Sequence, residues 1–408
     1  MSEPDSTNPH DLRDLRDPRD PRDPRDPFTL RRREFLFGAA FASALARLQP
    51  PGAGRLIGTI PFGTPGAPTT PLDRPLGAGL DARLFTDLST LAPDRLVTSA
   101  ERFFVRTVAP RGRPDRDAWR LELAGSGAEP AALDFPSLER LGHGSGRYLI
   151  ECAGNADPAN FGLMSVADWE GIPVSAVLER MPRAAASNGA RAVLVSGFDW
   201  ENTPQQTSRT SLPGASWIFP RDLLSQALLA THMNGAPLPA DHGAPVRLVV
   251  PGWYGCACIK WVNRIELVGD EAPRTTQMWE FAARTHQNGT PELARDYIPA
   301  VIDTAAVPVR IEKWEIDGKI EYRVIGIIWG GDKPTNALAI RFRGREPWVP
   351  VERCPLPENP RMWSLWTHTW RPTEPGRYEI VLKVTDPSIR TRRLDLFYYT
   401  RRVEISEL

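Results

Sequence analysis

One stretch near the middle of the chain, from Arg147 to Asn155, reads Arg-Tyr-Leu-Ile-Glu-Cys-Ala-Gly-Asn. Its residues 148–150 form a short β-prone run, and the small, turn-forming residues after Glu151 predict that a strand opens there into a loop. The thiol of Cys152 then lies on a loop that a sheet holds in place. Such loops carry reactive groups more often than element interiors do, and a thiolate is a soft ligand suited to a transition metal. A buried structural cysteine is the alternative interpretation of a single Cys.

Two longer blocks of sequence carry a family resemblance. Glu151–Asn155, followed by Ala167–Val174, resembles the molybdenum-binding segment of the sulfite oxidase family. Asp241–Gly255, followed by Ile259-Lys260-Trp261, is similar to the pterin-binding segment of the same family. The resemblance runs from about residue 103 to residue 303, with a weaker similarity to the C-terminus. It implies a molybdopterin (Mo-pyranopterin) cofactor in which Cys152 is the one protein ligand to molybdenum.

The second block contains groups that suit a phosphate-bearing pterin. We expect His242, Arg247 and Lys260 to supply cations, while glycines at positions 243, 252 and 255 supply turns at which backbone N–H groups approach an anion. Arg247 begins an apolar strand, where an unpaired guanidinium is costly to bury, so it needs a partner. The alternative is a solvated arginine and lysine beside a histidine satisfied in the core.

The resemblance implies roles for further residues. Arg106 matches an arginine that faces the substrate anion on the first cofactor segment. The pair Asp296 and Tyr297 matches an Asp-Tyr pair whose tyrosine hydrogen-bonds beside the metal, and a phenol can orient an anionic substrate without ionising at neutral pH. By the same resemblance the remaining cofactor-binding residues are Phe104, Asp199 and Cys258.

The chain departs from the family pattern on both sides of the candidate pocket. Val108 replaces a family histidine, and Ala156 and Asp157 stand where sulfite-oxidising members carry arginines that help hold an oxyanion. A carboxylate near an anion pocket repels a dianion by roughly several tenths to a few kcal/mol, depending on the local dielectric. The apolar residues 161–164 suit a larger or neutral substrate. Sulfite is therefore one candidate substrate among several.

Composition limits the class of protein. The chain has 408 residues, which predicts two domains after a removable leader. Lys plus Arg and Asp plus Glu each number 50, and this zero net charge argues against a nucleic-acid or anionic-membrane partner. The sequence contains no Cys-x-x-Cys-His motif for a c-type haem. We therefore expect electrons to pass to a separate acceptor, either a c-type cytochrome or a membrane subunit.

The N-terminal region predicts export. Residues 1–30 carry an Arg/Asp/Pro repeat with little to bury, which predicts disorder, and each Arg is matched by an Asp, which disfavours a nucleic-acid-binding arm. Residues 31–48 contain Arg32-Arg33-Glu34-Phe35-Leu36, which resembles a twin-arginine signal, and an apolar run too short for the ~20 residues of a membrane span. An amphipathic surface helix is the alternative. Residues 49–79 read as a linker, and a periplasmic location follows.

The predicted fold class is α+β. We expect a mixed α/β molybdopterin-binding catalytic domain over residues 80–303, with a helix at 220–230. An immunoglobulin-like β-sandwich over 304–408, of the kind that the family often uses for homodimerisation, follows it. Trp363, Trp366 and Trp370 are either core or an interface patch. The predicted strands of the sandwich are Val309–Ile316, Tyr322–Ile328, Ala337–Phe342, Tyr378–Val384 and Leu394–Val403.

The sequence thus predicts an oxidoreductase that transfers an oxygen atom to or from a small substrate, with sulfur compounds as the first candidates. Two alternatives stay open. One is a periplasmic sulfoxide reductase of the same superfamily, which runs the same chemistry in reverse. The other is a cofactor-free interaction protein with a decayed pocket, an idea prompted by Val108, Ala156 and Asp157.

Overall fold

The computed structural model describes residues 54–62, 82–107, 115–125, 129–156, 161–181, 191–198, 215–344 and 346–408. The predicted twin-arginine segment, Asp199, Val108 and Asp157 lie outside these ranges. Within them, no helix is both long and apolar enough to cross a membrane.

Strands dominate the described residues, and the three α-helices are short. The helices are α1 (Phe135–Glu139), α2 (Val174–Leu178) and α3 (Thr276–Phe281). The strands are β1 (Arg55–Pro61), β2 (Ala82–Leu84), β3 (Val105–Thr107), β4 (Arg120–Gly125), β5 (Ala131–Asp134), β6 (Gly144–Glu151), β7 (Met164–Pro173), β8 (Ala192–Gly197), β9 (Ser216–Pro220), β10 (Leu228–Met233), β11 (Ala236–Pro237), β12 (Arg247–Val249), β13 (Val262–Val268), β14 (Ala305–Ile316), β15 (Lys319–Trp329), β16 (Leu338–Arg341), β17 (Val349–Pro350), β18 (Ser364–Trp370), β19 (Gly376–Val384) and β20 (Arg401–Ile405).

Two five-stranded sheets form the part of the chain that contains the candidate site. One has the order β11-β10-β7-β6, with β12 also paired to β10, and the other has the order β5-β4-β13-β8-β9. The β4–β13 pair is parallel and the remaining pairs are antiparallel. The strand predicted at 148–150 is confirmed as the end of β6, where Glu151 pairs with Met164. Cys152 follows directly, so the sheet fixes where the loop begins.

The C-terminal part is a β-sandwich. Its two four-stranded sheets have the orders β1-β14-β15-β18 and β17-β16-β19-β20. Aromatic rings join the sheets, because Trp370 on β18 stacks on Phe342 with centroids 4.4 Å apart and meets Tyr378 on β19 at 4.8 Å. Trp363, Trp366 and Trp370 are buried, so they belong to the core. The α+β fold class with a terminal β-sandwich is confirmed.

The prediction of a linker over residues 49–79 is wrong for β1. This strand pairs antiparallel with β14 and covers what would otherwise be an unpaired edge of the sheet. Its neighbouring Gly and Pro residues suggested a linker, but the run Leu56-Ile57-Gly58-Thr59-Ile60 has enough apolar surface to pack on the sandwich. The sandwich therefore includes residues from before the catalytic part.

Two other predicted elements are also wrong in type or extent. The helix expected at 220–230 is a 3-10 turn over Arg221–Gln226, followed by β10, because Leu228 and Leu229 join a sheet between β7 and β12. Helical spacing of apolar residues was misleading here, since Leu223 is exposed. The strand expected at Leu394–Val403 is formed only from Arg401 onward, and turns occupy the preceding residues.

A substitution at Gly326 tests how tightly the sandwich is packed. A Cβ at this position would overlap the Trp366 ring and the Val307 carbonyl oxygen. We expect Gly326→Ala to lower the free energy of unfolding by about 1–3 kcal/mol or more, which a lower thermal midpoint would report. Gly344 is the control, because a Cβ there meets nothing within 4 Å, and Gly344→Ala should stay within about 0.5 kcal/mol of the parent. Equal midpoints for the two variants would contradict this packing.

Candidate active site

The Cys152 loop is held by its own backbone and by Asn155. The Cys152 N–H donates to Leu163 O at 2.9 Å, and the Asn155 N–H donates to Cys152 O at 3.0 Å. The Asn155 side-chain oxygen accepts the Leu163 N–H at 3.1 Å. The half-buried thiol itself accepts the Gly154 N–H at 3.4 Å. These bonds fix the direction in which the sulfur points.

Glu151, the residue before the thiol, is fully buried and forms a two-point ion pair with Arg392. The two guanidinium nitrogens donate to the two carboxylate oxygens at 2.8 and 2.7 Å. The Trp329 indole N–H donates to the same carboxylate at 2.8 Å, and Arg392 also donates to the Tyr399 hydroxyl at 2.9 Å. Burial opposes the charge on Arg392, yet Glu151 raises the pKa of Arg392 well above its usual value. The Cys152 loop is thereby tied to the sandwich.

The guanidinium groups of Arg106 and Arg284, which lie on other segments, affect the pKa of the Cys152 thiol. Burial raises the pKa of Cys152, while the Gly154 N–H and the charges of Arg106 and Arg284 lower it and the charge of Glu151 raises it. A Cβ at Gly154 would lie 3.1 Å from Arg284 Nη1 and 3.8 Å from Cys152 Sγ, so both atoms border the same point above the loop. The sulfur therefore faces a region of positive charge.

A second cluster contains the residues of the predicted pterin segment. Gly243 has φ 110°, and a Cβ there would lie 3.0 Å from Lys260 Cα and 3.2 Å from Arg247 Cβ. Lys260 Nζ donates to Asp241 O at 2.6 Å, and Arg247 Nη1 donates to His242 O at 3.3 Å. The structure thus brings His242, Arg247 and Lys260 together around a glycine that allows close approach.

Two buried polar atoms of this cluster lack partners among the described residues. His242 is fully buried, and its Nε2 lies 3.0 Å from Ala100 O, which can only accept, so the neutral ring donates there and leaves Nδ1 as an acceptor. Neither His242 Nδ1 nor Arg247 Nε has a hydrogen-bond partner in the described part of the chain. Buried polar atoms of this kind call for a ligand with both donors and acceptors. A pterin with an anionic phosphate has that chemistry.

The prediction that His242 supplies a cation is wrong. Burial and the charges of Lys260 and Arg247 lower the pKa of His242 to about 3, so its ring is neutral at physiological pH. Burial also lowers the pKa of Arg247, to about 10, which leaves Arg247 protonated near neutrality. Arg247 and Lys260 are therefore the cations of the cluster.

Comparisons with known proteins agree with this chemistry. Residues 108–276 match the family model described as oxidoreductase molybdopterin binding domain. The chain is 26% identical over 322 residues to mitochondrial sulfite oxidase of Rattus norvegicus, and 28% identical over 325 residues to sulfite oxidase of Gallus gallus. The chain contains a molybdopterin-binding oxidoreductase domain and is similar to sulfite oxidases. It is an oxidoreductase with a molybdopterin cofactor, and the idea of a cofactor-free interaction protein is set aside.

These alignments cover only part of each relative. The rat alignment covers 73% of this chain and 57% of that protein, and the chicken alignment covers 73% and 68%. A nitrate reductase [NADH] 2 of Phaseolus vulgaris is 25% identical, over 76% of this chain and 38% of its own length. The chain thus spans little more than half of the rat relative.

A solved structure shares the fold. The sulfane dehydrogenase SoxCD of Paracoccus pantotrophus superposes with a TM-score of 0.57 at 19% identity, covering 79% of this chain and 86% of that chain. At this identity it supports the architecture alone.

The structure places the other predicted residues at differing positions. Phe104 is buried and its N–H donates to Ser165 Oγ at 3.0 Å, while Cys258 is buried with Sγ accepting the Val250 N–H at 3.5 Å. Burial raises the pKa of the Cys258 thiol and the charge of Arg247 opposes that rise. The role of Cys258 in cofactor binding remains a prediction. Arg106 is exposed on β3 and acts on the thiol.

Among the described residues, no hydrogen bond or ion pair links Asp296 or Tyr297 to the Cys152 thiol. Asp296 is exposed and lies 3.7 Å from Arg295. Tyr297 is buried, and its hydroxyl has no partner among the described residues. Burial raises the pKa of Tyr297, opposed by the charge of Arg274. The role of this pair in the site remains a prediction.

Sequence reasoning missed Arg284, Arg392 and Trp329. One signal was present, because Glu151 ends an apolar strand and a buried carboxylate requires a cation. The identity of that cation could not be read locally, since Arg392 is 241 positions away. For Arg284, which lies in the 3-10 turn after α3, the sequence offers no comparable signal.

The Glu151–Arg392 pair generates a stability prediction. Glu151→Gln leaves the Arg392 charge buried without its counter-charge, so we expect a loss of about 3–5 kcal/mol in the free energy of unfolding, measured by urea denaturation. A Glu151→Gln/Arg392→Met double variant should recover part of this loss. The matched control is the exposed pair Arg147–Asp168, whose nitrogen and oxygen lie 2.7 Å apart, where Asp168→Asn should cost no more than about 1 kcal/mol. Similar losses for Glu151→Gln and Asp168→Asn would show that burial does not make the Glu151–Arg392 pair more important for stability than an exposed pair.

Proposed function

We propose that this chain catalyses a two-electron oxygen-atom transfer on a small substrate and passes the electrons to a separate acceptor. The observation that carries the proposal is the half-buried Cys152 thiol, which is held just after β6 by the Gly154 N–H and lies beside Gly154 together with the Arg284 guanidinium. Sulfite and other sulfur compounds are the first candidate substrates. The rat and chicken relatives, which are sulfite oxidases, support this choice.

The residues divide into those that hold the cofactor and those that face the substrate. When bound, the molybdopterin cofactor supplies a redox centre that exchanges one oxygen atom with a substrate as two electrons move. Cys152 would hold the metal through its thiolate, which is a soft ligand. Arg247 and Lys260 would bind the anionic end of the pterin, and the neutral His242 ring would accept a hydrogen bond through Nδ1.

The substrate side of the pocket is formed by charge rather than by an apolar loop. Arg106 would orient an anionic group, since a guanidinium presents a fork of N–H donors. Phe161 and Leu163 were expected to make the loop suit a neutral substrate, but both are buried, and the Phe161 ring packs with Tyr399 at 5.4 Å. They therefore give no support to a large or neutral substrate.

We also propose a separate electron acceptor and a homodimeric assembly. The sequence has no c-type haem motif, so a c-type cytochrome or a membrane subunit would receive the electrons. The sandwich is the proposed surface for a homodimer. These proposals concern the whole protein and rest on the family resemblance together with the sequence.

Molybdenum analysis tests the function. In a host that makes the cofactor, we expect about one molybdenum per chain in the parent, with turnover of sulfite or another sulfur compound. Cys152→Ser should keep the fold by circular dichroism but abolish turnover, because a hard hydroxyl replaces the soft thiolate. Cys354→Ser, which changes a free cysteine between β17 and β18, should leave both metal content and turnover unchanged. A fully active Cys152→Ser variant would sink the assignment.

We also propose that the chain reaches the periplasm by the twin-arginine route, which carries folded, cofactor-loaded proteins. Replacing the pair at Arg32 and Arg33 by lysines should trap the protein in the cytoplasm, as fractionation would detect. The control replaces Arg13 and Arg16 of the preceding repeat by lysines, which keeps the same number of charges and should leave export intact. Export of the Arg32→Lys/Arg33→Lys protein at the parent level would contradict the route.

A further inference from the structure

We propose that Cys256 is a redox partner of Cys152, and that in a chain without cofactor the two thiols join in a disulfide that blocks the metal-binding sulfur. The family resemblance gives Cys256 no role, and the proposed chemistry does not use it. The blocking effect rests on the proposed function, because it takes Cys152 to be the metal ligand. Formation of the disulfide needs only the two thiols and an oxidant.

The main chains that carry the two cysteines are in direct contact. The Gly255 N–H donates to Glu151 O at 2.7 Å. The next residue along each segment is a cysteine, Cys152 after Glu151 and Cys256 after Gly255. Main chains joined by such a bond lie about 5 Å apart, and a disulfide spans Cα atoms that are about 4.4–6.8 Å apart. The backbone spacing at this contact is therefore the spacing that a disulfide requires.

Gly255 allows this close approach. A Cβ at this position would lie 3.1 Å from Ile150 Cγ2 and 3.3 Å from Glu151 O, and both distances are tighter than ordinary contacts. A larger residue would therefore push the two segments apart. Because glycine precedes Cys256, the segment that carries this thiol lies directly against the end of β6.

Hydrogen bonds hold the turn that carries Cys256. The Cys258 N–H donates to Gly255 O at 3.1 Å, which closes the turn. The Gln277 side chain, on α3, donates to Cys256 O. The Cys152 loop is held by hydrogen bonds of its own, so the structure fixes the position of both cysteines relative to each other.

The thiols of Cys152 and Cys256 are electrostatic neighbours. Burial raises the pKa of Cys256 well above its usual value, and the charges of Cys152 and then of Cys258 raise it further. Cys258 has the smaller effect, although it lies only two residues away on the same turn. Its sulfur accepts the Val250 N–H at 3.5 Å, so it is engaged elsewhere. Cys152 rather than Cys258 is therefore the expected disulfide partner of Cys256.

An oxidant reaches the pair through Cys152, because that thiol is half-buried and Cys256 is buried. The Cys152 sulfur attacks a small disulfide such as oxidised glutathione, forms a mixed disulfide and releases one thiol. The Cys256 sulfur then attacks the Cys152 sulfur and releases the second thiol. In total the two protein thiols lose two electrons and two protons, which the oxidant takes up as it leaves as two thiols.

The disulfide and the cofactor exclude each other at Cys152. A metal–thiolate bond needs a reduced, deprotonated sulfur, so a chain whose Cys152 lies in a disulfide has lost its metal ligand. A chain that already holds the cofactor keeps this sulfur occupied and is protected from oxidation. In an oxidising compartment, an empty chain would thus be held in its empty state.

Oxidation of the full-length chain, made in a host that lacks the molybdopterin pathway, tests this inference. After treatment with oxidised glutathione, the remaining thiols are alkylated under denaturing conditions and the peptides are analysed by mass spectrometry. We expect a peptide pair joined through Cys152 and Cys256 in most of the chains. Cys256→Ala should remove this pair, whereas Cys258→Ala, at the neighbouring buried cysteine, is the matched control and should retain it.

The same treatment of molybdenum-loaded protein separates the two proposals. Loaded chains should stay free of the link between Cys152 and Cys256. A preparation from a cofactor-competent host that contains no molybdenum would defeat the proposed function, while oxidation of the empty chain would still decide whether the disulfide forms. The peptide pair in the parent identifies the partner even where Cys256→Ala fails to fold. Absence of the link in the oxidised empty parent, an equal yield of a link between Cys152 and Cys258, or equal linking of loaded chains would overturn the inference.

Discussion

The buried ion pair between Glu151 and Arg392 is the interaction on which the site depends. It lies beside Cys152, at the end of β6, and it joins that strand to the C-terminal part of the chain. Removing two charges from water is expensive, and the Trp329 indole and the Tyr399 hydroxyl offset part of that cost with further hydrogen bonds to the pair. Folding of the sandwich and placement of the thiol are therefore coupled. A catalytic part without the sandwich would leave Glu151 as a buried, uncompensated carboxylate.

The sequence predicted what depends on local chemistry and failed where distant residues decide. Cys152 at a strand end follows from its immediate neighbours, and the pterin residues lie within one continuous block that folds back on itself. The charge state of His242 depends on complete burial beside Lys260 and Arg247, which no sequence pattern reveals. The pairing of β1 with β14 likewise depends on an edge that only the folded sandwich presents.

The position of Arg284 is a second feature that the sequence could not predict. Loop residues next to the cysteine suggested a pocket poor in cations, because position 156 holds an alanine. The structure supplies a guanidinium from the segment after α3, which crosses over Gly154. The residues next to Cys152 in the sequence do not reveal a side chain that another segment contributes.

The buried arginines identify which part of the chain awaits a ligand. Arg392 has a carboxylate partner, and Arg310 pairs with Glu312 at 3.0 Å. Arg401 has no described carboxylate, yet it donates to two carbonyl oxygens at 2.9 Å. Arg247 makes one long bond of 3.3 Å within the described residues and lies beside the cation Lys260 and a neutral His242. Because Arg247 is buried with only this long bond to neutralise its charge, an anionic, phosphate-bearing cofactor would stabilise the folded site.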